Sequence, residues 1–192
     1  PAPYRIGFVL VPRFSMLAFS SALEPLRMAN RLADRELYSW SLIAEDRQPV
    51  AASNGLPITP ELVFDESRDF NAILVCGGID VQRVADKALL GFVQRAAQRN
   101  ITLGALCTGT YLLAKATVLD GYRCTIHWEN LASTREAFPQ VVLTTEVFEI
   151  DRNRMTSSGG SAPLDMMLNV IAAQHGQELA NAISEVFICE RI

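Results

Sequence analysis

Thr102-Leu103-Gly104-Ala105-Leu106-Cys107-Thr108-Gly109 is the stretch from which the architecture can be read. Thr102–Leu106 has the apolar run of a buried strand, and helical spacing begins at Thr108 and continues to Leu119. No loop residues separate the two, so Cys107 stands at the corner. A strand turning straight into a helix forces the corner residue into strained backbone, with φ above zero, and a small neighbour such as Gly109 relieves the crowding. The following helix aims its N-terminus at the thiol, which favours the thiolate and suits an anion. The plainer reading of Cys107 is a buried core cysteine.

Outward from this corner, strand and helix signals alternate. Tyr4–Val11, Tyr38–Ala44 and Ala72–Cys76 read as strands. Ser15 can cap a helix over Met16–Leu32, and Gln82–Arg99 is helical in its spacing. Asn54-Gly55 within Val50–Ile58 predicts a small antiparallel excursion. Cys124–His127 reads as a short strand, and Val141–Ile150 with Met155–Ser157 as a hairpin across Asp151–Arg154. Two helices follow, Ala162–Gln174 and Gln177–Ile188. Apolar strands separated by helices predict an α/β fold, a three-layer α/β/α sandwich with a mainly parallel sheet and small β-hairpin excursions. The pattern over Val186–Ile192 is still helical, which reads as a domain of a longer protein.

Ligands of open α/β sheets bind beyond the carboxyl ends of the strands. Four segments fall on that rim: Arg13-Phe14, Gly77-Gly78, Cys107 and His127-Trp128. Gly77-Gly78 offers backbone N–H groups to an oxyanion or carboxylate, or is a plain tight turn. His127 is a base for Cys107, a donor to a ligand carboxylate, or a structural residue. Trp128 is a core residue or an aromatic face for a cationic ligand. Ser157–Ser161 reads first as a helix cap, with ligand contact second, and His175 as a helix-end residue.

Composition bounds the rest. The chain has 192 residues, 49% hydrophobic and 20% charged, which fits a single globular domain over residues 1–192. A net charge of −4 argues against direct DNA binding by this segment. Four widely spaced cysteines read as reduced thiols in a cytoplasmic protein. With two histidines and no Cys/His cluster of zinc spacing, neither a metal nor a cofactor is expected. No apolar run is long enough to span a membrane, so no membrane partner is expected.

Taken together, Gly7-Phe8, Ala22–Arg27, Val75–Gly78, Gly104–Gly109, Leu119–Tyr122, Thr125–Trp128 and Ser157–Asp165 resemble the ThiJ/PfpI superfamily, whose flavodoxin-like fold is that of class I glutamine amidotransferases. The nearer resemblance is to the sensor domains of GlxA-like regulators in the AraC family of transcription regulators. It extends over essentially the whole chain, and Ala182–Glu185 is similar to the segment leading into their helix-turn-helix DNA-binding domain. The resemblance implies a DNA-binding domain beyond residue 192, a homodimer and a small-molecule effector. Some such regulators respond to betaine or carnitine and others to amino acids such as arginine, so it implies an amine-carboxylate ligand.

Enzymes of the superfamily that use the elbow cysteine also use a carboxylate from the segment after the first strand. In isonitrile-hydratase-like relatives this would align near Ala18, where the chain has no acid; the nearest is Glu24. The resemblance leaves Glu24 open as the acid that other branches use to hold the cysteine, so that His127 and Glu24 are the candidate partners of Cys107. A cysteine without a placed acid and base gains little as a nucleophile. The expectation is therefore a binding domain with Cys107 as a vestigial nucleophile, Gly77, Gly78, Cys107, Thr108 and His127 around the ligand, and Glu24 with Trp128 at its cationic end. The alternative is a cysteine-dependent hydratase, amidase or deglycase.

Overall fold

The computed structural model describes residues 2–66 and 69–187. Strand β1 (Tyr4–Leu10) leads into α1 (Met16–Ala33), whose N-terminal turn is capped by Ser15, and then into β2 (Tyr38–Ala44). The hairpin β3 (Val50–Ala51) and β4 (Pro57–Ile58) turns at Asn54-Gly55, where the Asn54 side chain accepts from the Leu56 N–H at 3.0 Å. After β5 (Leu62–Val63) come β6 (Ala72–Cys76), α2 (Lys87–Gln98), β7 (Thr102–Leu106) and α3 (Gly109–Lys115). The remainder is β8 (Arg123–Cys124), α4 (Leu131–Ala137), β9 (Val142–Leu143), β10 (Phe148–Asp151), β11 (Arg154–Ser157), α5 (Ala162–His175) and α6 (Gln177–Val186).

Seven strands share one sheet in the order β10-β11-β7-β6-β1-β2-β5, parallel except for β10. Both faces are covered, which is why the central strands read as unbroken apolar runs. On one face α1, α5 and α6 bury Phe8, Leu26, Leu74 and Met166; on the other α2 and α3 bury Val9, Val75, Phe92 and Leu112. The result is the three-layer sandwich expected from the sequence. From β1 the chain works outward to β2 and β5, then returns to β6 and proceeds the other way. The switch point of the sheet therefore lies between β1 and β6, with Cys107 one strand away.

Several boundaries differ from the sequence reading. The Gln82–Arg99 helix is interrupted: Val81–Val84 is a 3-10 turn, and α2 restarts where Asp86 caps the Leu89 N–H at 2.9 Å. The helix after Cys107 ends at Lys115 rather than Leu119, because Thr117 turns left-handed at φ 60°. The Cys124–His127 strand shrinks to β8, which pairs with β9 outside the main sheet. The hairpin is β10–β11 alone, its arm shorter than Val141–Ile150. The sequence reading missed β5 and α4. The end of the Gln177–Ile188 helix, Cys189 and the pattern up to Ile192 lie outside the described residues. Among those described, no helix is long and apolar enough to cross a membrane.

Close strand packing around Gly104 generates a prediction. A Cβ there would sit 2.3 Å from Leu74 Cδ2 and 2.7 Å from the Met155 carbonyl oxygen. Gly104→Val is expected to lower stability in urea unfolding by about 1–3 kcal/mol. Wild-type stability in that variant would contradict the β6-β7-β11 packing.

Candidate functional site

Cys107 has φ 60°, a left-handed conformation that a side-chain-bearing residue adopts only when its surroundings impose it. The imposition is visible. Parallel pairing to β6 and β11 fixes β7 up to Leu106, and α3 begins two residues past Cys107. Gly77 lies against this turn so closely that a Cβ would meet the Gly109 nitrogen at 2.2 Å and Thr108 Oγ1 at 2.6 Å. Gly78 lies against the turn after β1, where a Cβ would sit 1.9 Å from the Arg13 carbonyl oxygen.

Gly78 and Phe14 form an isolated antiparallel bridge, flanked by Ser15 N–H to Gly77 O at 2.9 Å and Ile79 N–H to Arg13 O at 3.1 Å. In that pattern the bridged residues turn their own N–H and C=O away from each other. The Gly78 carbonyl accordingly accepts from Thr108 Oγ1 at 2.7 Å, and its N–H, on the same side, has no acceptor among the described residues. Arg13 and Asp80, both left-handed, close this rim with an ion pair.

Cys107 is 6% exposed, and burial pushes its thiol pKa up to about 11. The Thr108 N–H pulls in the opposite direction and the Glu129 carboxylate adds to the rise. This corrects the expectation that the helix after Cys107 would favour the thiolate: α3 has only seven residues, and desolvation outweighs its amide. The chain from β8 crosses over the corner, and the His127 N–H donates to the Cys107 carbonyl at 3.1 Å. His127 Nδ1 accepts from the Glu129 N–H at 3.3 Å, with the Glu129 carboxylate 3.9 Å from the same nitrogen, and this arrangement leaves Nε2 as the ring position free to donate to a ligand. Gly159 fits between ring and thiol, since a Cβ there would lie 2.3 Å from His127 Cδ2, 3.1 Å from Nε2 and 3.4 Å from Cys107 Sγ. The Trp128 ring lies 6.0 Å from the His127 ring, near parallel to it, and is 73% exposed.

The fold thus brings Gly77, Gly78, Cys107, Thr108, His127 and Trp128 to one rim. Glu24 is not among them. Ser15 anchors the start of α1 at Gly77, and nine residues of helix carry Glu24 about 13 Å along the axis, where it binds Arg27 at 2.6 Å. Ala18, at the expected acid position, is buried in the core that also contains Cys107. Sequence reasoning missed two neighbours. Glu129 follows Trp128 directly, and its charge reaches the thiol. Gly159 was hidden in a serine-glycine run that reads as a cap, although no side chain caps α5. Among the described residues no group of three His, Cys, Asp or Glu side chains could hold a metal ion.

The raised pKa predicts a pH profile. The buried thiol stays protonated at neutral pH, and thiolate absorbance lost on Cys107→Ala should titrate near pH 11. A midpoint below the ordinary cysteine value of about 8.5 would show that the corner activates the thiol.

Comparison with known proteins fits this geometry. The sequence model of the DJ-1/PfpI family matches residues 7–173. The HTH-type transcriptional regulator GbdR of Pseudomonas aeruginosa is 50% identical over 190 residues, covering 99% of this chain and 52% of that protein. The HTH-type transcriptional regulator GlxA of Rhizobium meliloti is 36% identical, covering 96% and 57% respectively. The chain therefore spans about half the length of these regulators. A crystal structure of an AraC family transcriptional regulator from Pseudomonas putida superposes with a TM-score of 0.90 at 30% identity, covering 96% of this chain and all of that one. With the family model matching residues 7–173, the chain belongs to the DJ-1/PfpI family, and its relatives include GlxA- and GbdR-type regulators.

Proposed function

We propose that the chain is the effector-sensing domain of a bacterial AraC-family transcription regulator, and that it binds a small amine-carboxylate without turning it over. The observation that carries this reading is an elbow whose thiol is buried and beside which α1 brings no acid. The strained corner, a Gly78 N–H with no acceptor among the described residues and a donor position at His127 Nε2 remain, while burial pushes the thiol up to about 11 and no acid from α1 reaches it. Such a site offers hydrogen-bond donors to a carboxylate and little nucleophilic power. The transcription-regulator names of the relatives support the same reading.

In this proposal the ligand carboxylate rests on Gly78 N–H and His127. The cationic end lies toward the exposed Trp128 face and Glu129, which replaces Glu24 as the acid at that end. DNA contact belongs to the other half of a longer protein, as the lengths and names of the HTH-type relatives suggest, and the assembly is proposed to be a homodimer. The alternative, a cysteine-dependent hydratase, amidase or deglycase, draws on the preserved left-handed Cys107 and on a more distant relative, the isonitrile hydratase of Pseudomonas putida, 28% identical over 182 residues.

Two measurements separate these readings. Calorimetric titration with betaine, carnitine and arginine should show saturable binding of at least one. A cation over an aromatic ring contributes about 0.5–2 kcal/mol, so Trp128→Ala should weaken that binding by up to about thirtyfold. Glu129→Gln should weaken it as well, and Glu24→Gln should leave it unchanged. Failure of all three ligands at millimolar concentration would defeat the amine-carboxylate assignment. Separately, turnover of isonitriles, amides or α-oxoaldehydes should not exceed that of Cys107→Ala. Robust Cys107-dependent turnover would favour the enzyme.

A further inference from the structure

A second recess lies on the other side of β1, away from Cys107. It has a volume of about 390 Å³ and opens beyond the carboxyl ends of β1 and β2, against the start of α2. That volume is within the range of small-molecule sites, and the position borders the switch point where open α/β sheets take ligands. Leu10, Val11 and Leu89 make buried apolar walls, and Val50 of the hairpin closes one side.

The walls are held apart before any ligand arrives. Arg47, in the segment between β2 and β3, grips both Glu66 carboxylate oxygens at 2.8 and 2.7 Å and the Glu61 carbonyl at 2.7 Å. The hairpin is tied to the turn after β1 by Arg13 N–H to Ala51 O and Ser53 N–H to Phe14 O, both 2.8 Å. A pre-formed cleft spares a ligand the cost of ordering its own walls.

The lining also selects a chemistry. Phe64, half-buried and stacked on Phe92 with centroids 4.9 Å apart, contributes an aromatic surface. Three carboxylates, Glu45, Asp46 and Asp86, are set against one guanidinium, Arg83. Asp46 and Asp86 are fixed by the backbone N–H groups of Gln48 and Leu89 at 2.8 and 2.9 Å. These acids do not converge as metal ligands do: no group among the described residues could hold an ion. Apolar walls, an aromatic ring and an excess of negative charge together match an organic cation rather than a metal or an anion.

We propose that this cleft is a second small-molecule site, which takes a small organic cation with an apolar body. It does not depend on the reading of the Cys107 rim, because it shares none of that site's ligand-facing residues.

The test is a methyl NMR titration of the isotopically labelled chain with choline, against its uncharged isostere neohexyl alcohol. Choline lacks a carboxylate and so does not suit the Cys107 rim. Choline should shift the Leu10, Val11, Val50 and Leu89 methyls saturably, and neohexyl alcohol should bind more weakly. Glu45→Gln should weaken choline binding roughly two- to fivefold, the range of a partly exposed ion pair. Ala51→Phe, which fills the cleft, should abolish it while the remaining methyl spectrum stays native-like. Trp128→Ala should leave it unchanged. The proposal is overturned if choline leaves these methyls unmoved, if it shifts only residues around Trp128, if neohexyl alcohol binds as well, or if the filled variant still binds.

Discussion

The left-handed backbone of Cys107 is the constraint to which the rest of the site answers. A strand locked between two parallel neighbours has to become a helix within two residues, and only a φ of 60° allows it. That turn occupies the space where the strand beside it would otherwise continue, so the chain after β6 passes it with Gly77 and Gly78. Gly78 in turn lies against the loop after β1, which fixes the Phe14 bridge and the start of α1. Backbone strain of this kind costs on the order of 1–3 kcal/mol and persists only where packing over-determines it. Here packing on both faces of a doubly covered sheet supplies that determination.

The same geometry has two chemical uses, and burial is what favours one over the other in the proposed reading. A corner that exposes its thiol to a base and an acid makes a nucleophile. In this chain Ala18 is packed into the core, His127 has Nε2 free to donate, and the thiol is pushed up to about 11. What persists is the part of the elbow that needs no proton transfer: amide and imidazole donors held in fixed positions. The sensing role proposed for this chain needs that much, since a ligand shifts an equilibrium only through contacts that differ between two states. The rim is built from the loops after β1, β6 and β7 and the segment after β8. A ligand bridging them could therefore bias how those segments sit against one another.

The central strands were legible because burial on both faces leaves unbroken apolar runs, and Tyr38–Ala44, Ala72–Cys76 and Thr102–Leu106 fall where the sequence places them. The corner was legible because no loop residue separates strand from helix. Two-residue β5 offers no periodicity to detect, and α4 packs too few apolar side chains to show a stripe. Ala114–Thr117 has good helical composition, so the sequence shows no breaker for the left-handed stop at Thr117. Glu24 was misplaced because alignment by residue type cannot settle how far along a helix an acid sits. Gly159 was missed because its significance is a contact with His127 and Cys107, some 30 and 50 residues away in the chain, which local pattern does not encode.

The most direct test of the account is a crystal structure of the chain with a bound amine-carboxylate effector, refined well enough to show Cys107 Sγ. The account predicts an unmodified thiol beneath the ligand, the carboxylate within hydrogen-bonding distance of Gly78 N–H and His127 Nε2, and the cationic end toward Trp128. Density continuous between Sγ and the ligand would contradict it by showing a working nucleophile. A ligand bound with the Cys107 rim empty would contradict it by showing that the elbow is no longer the sensing site.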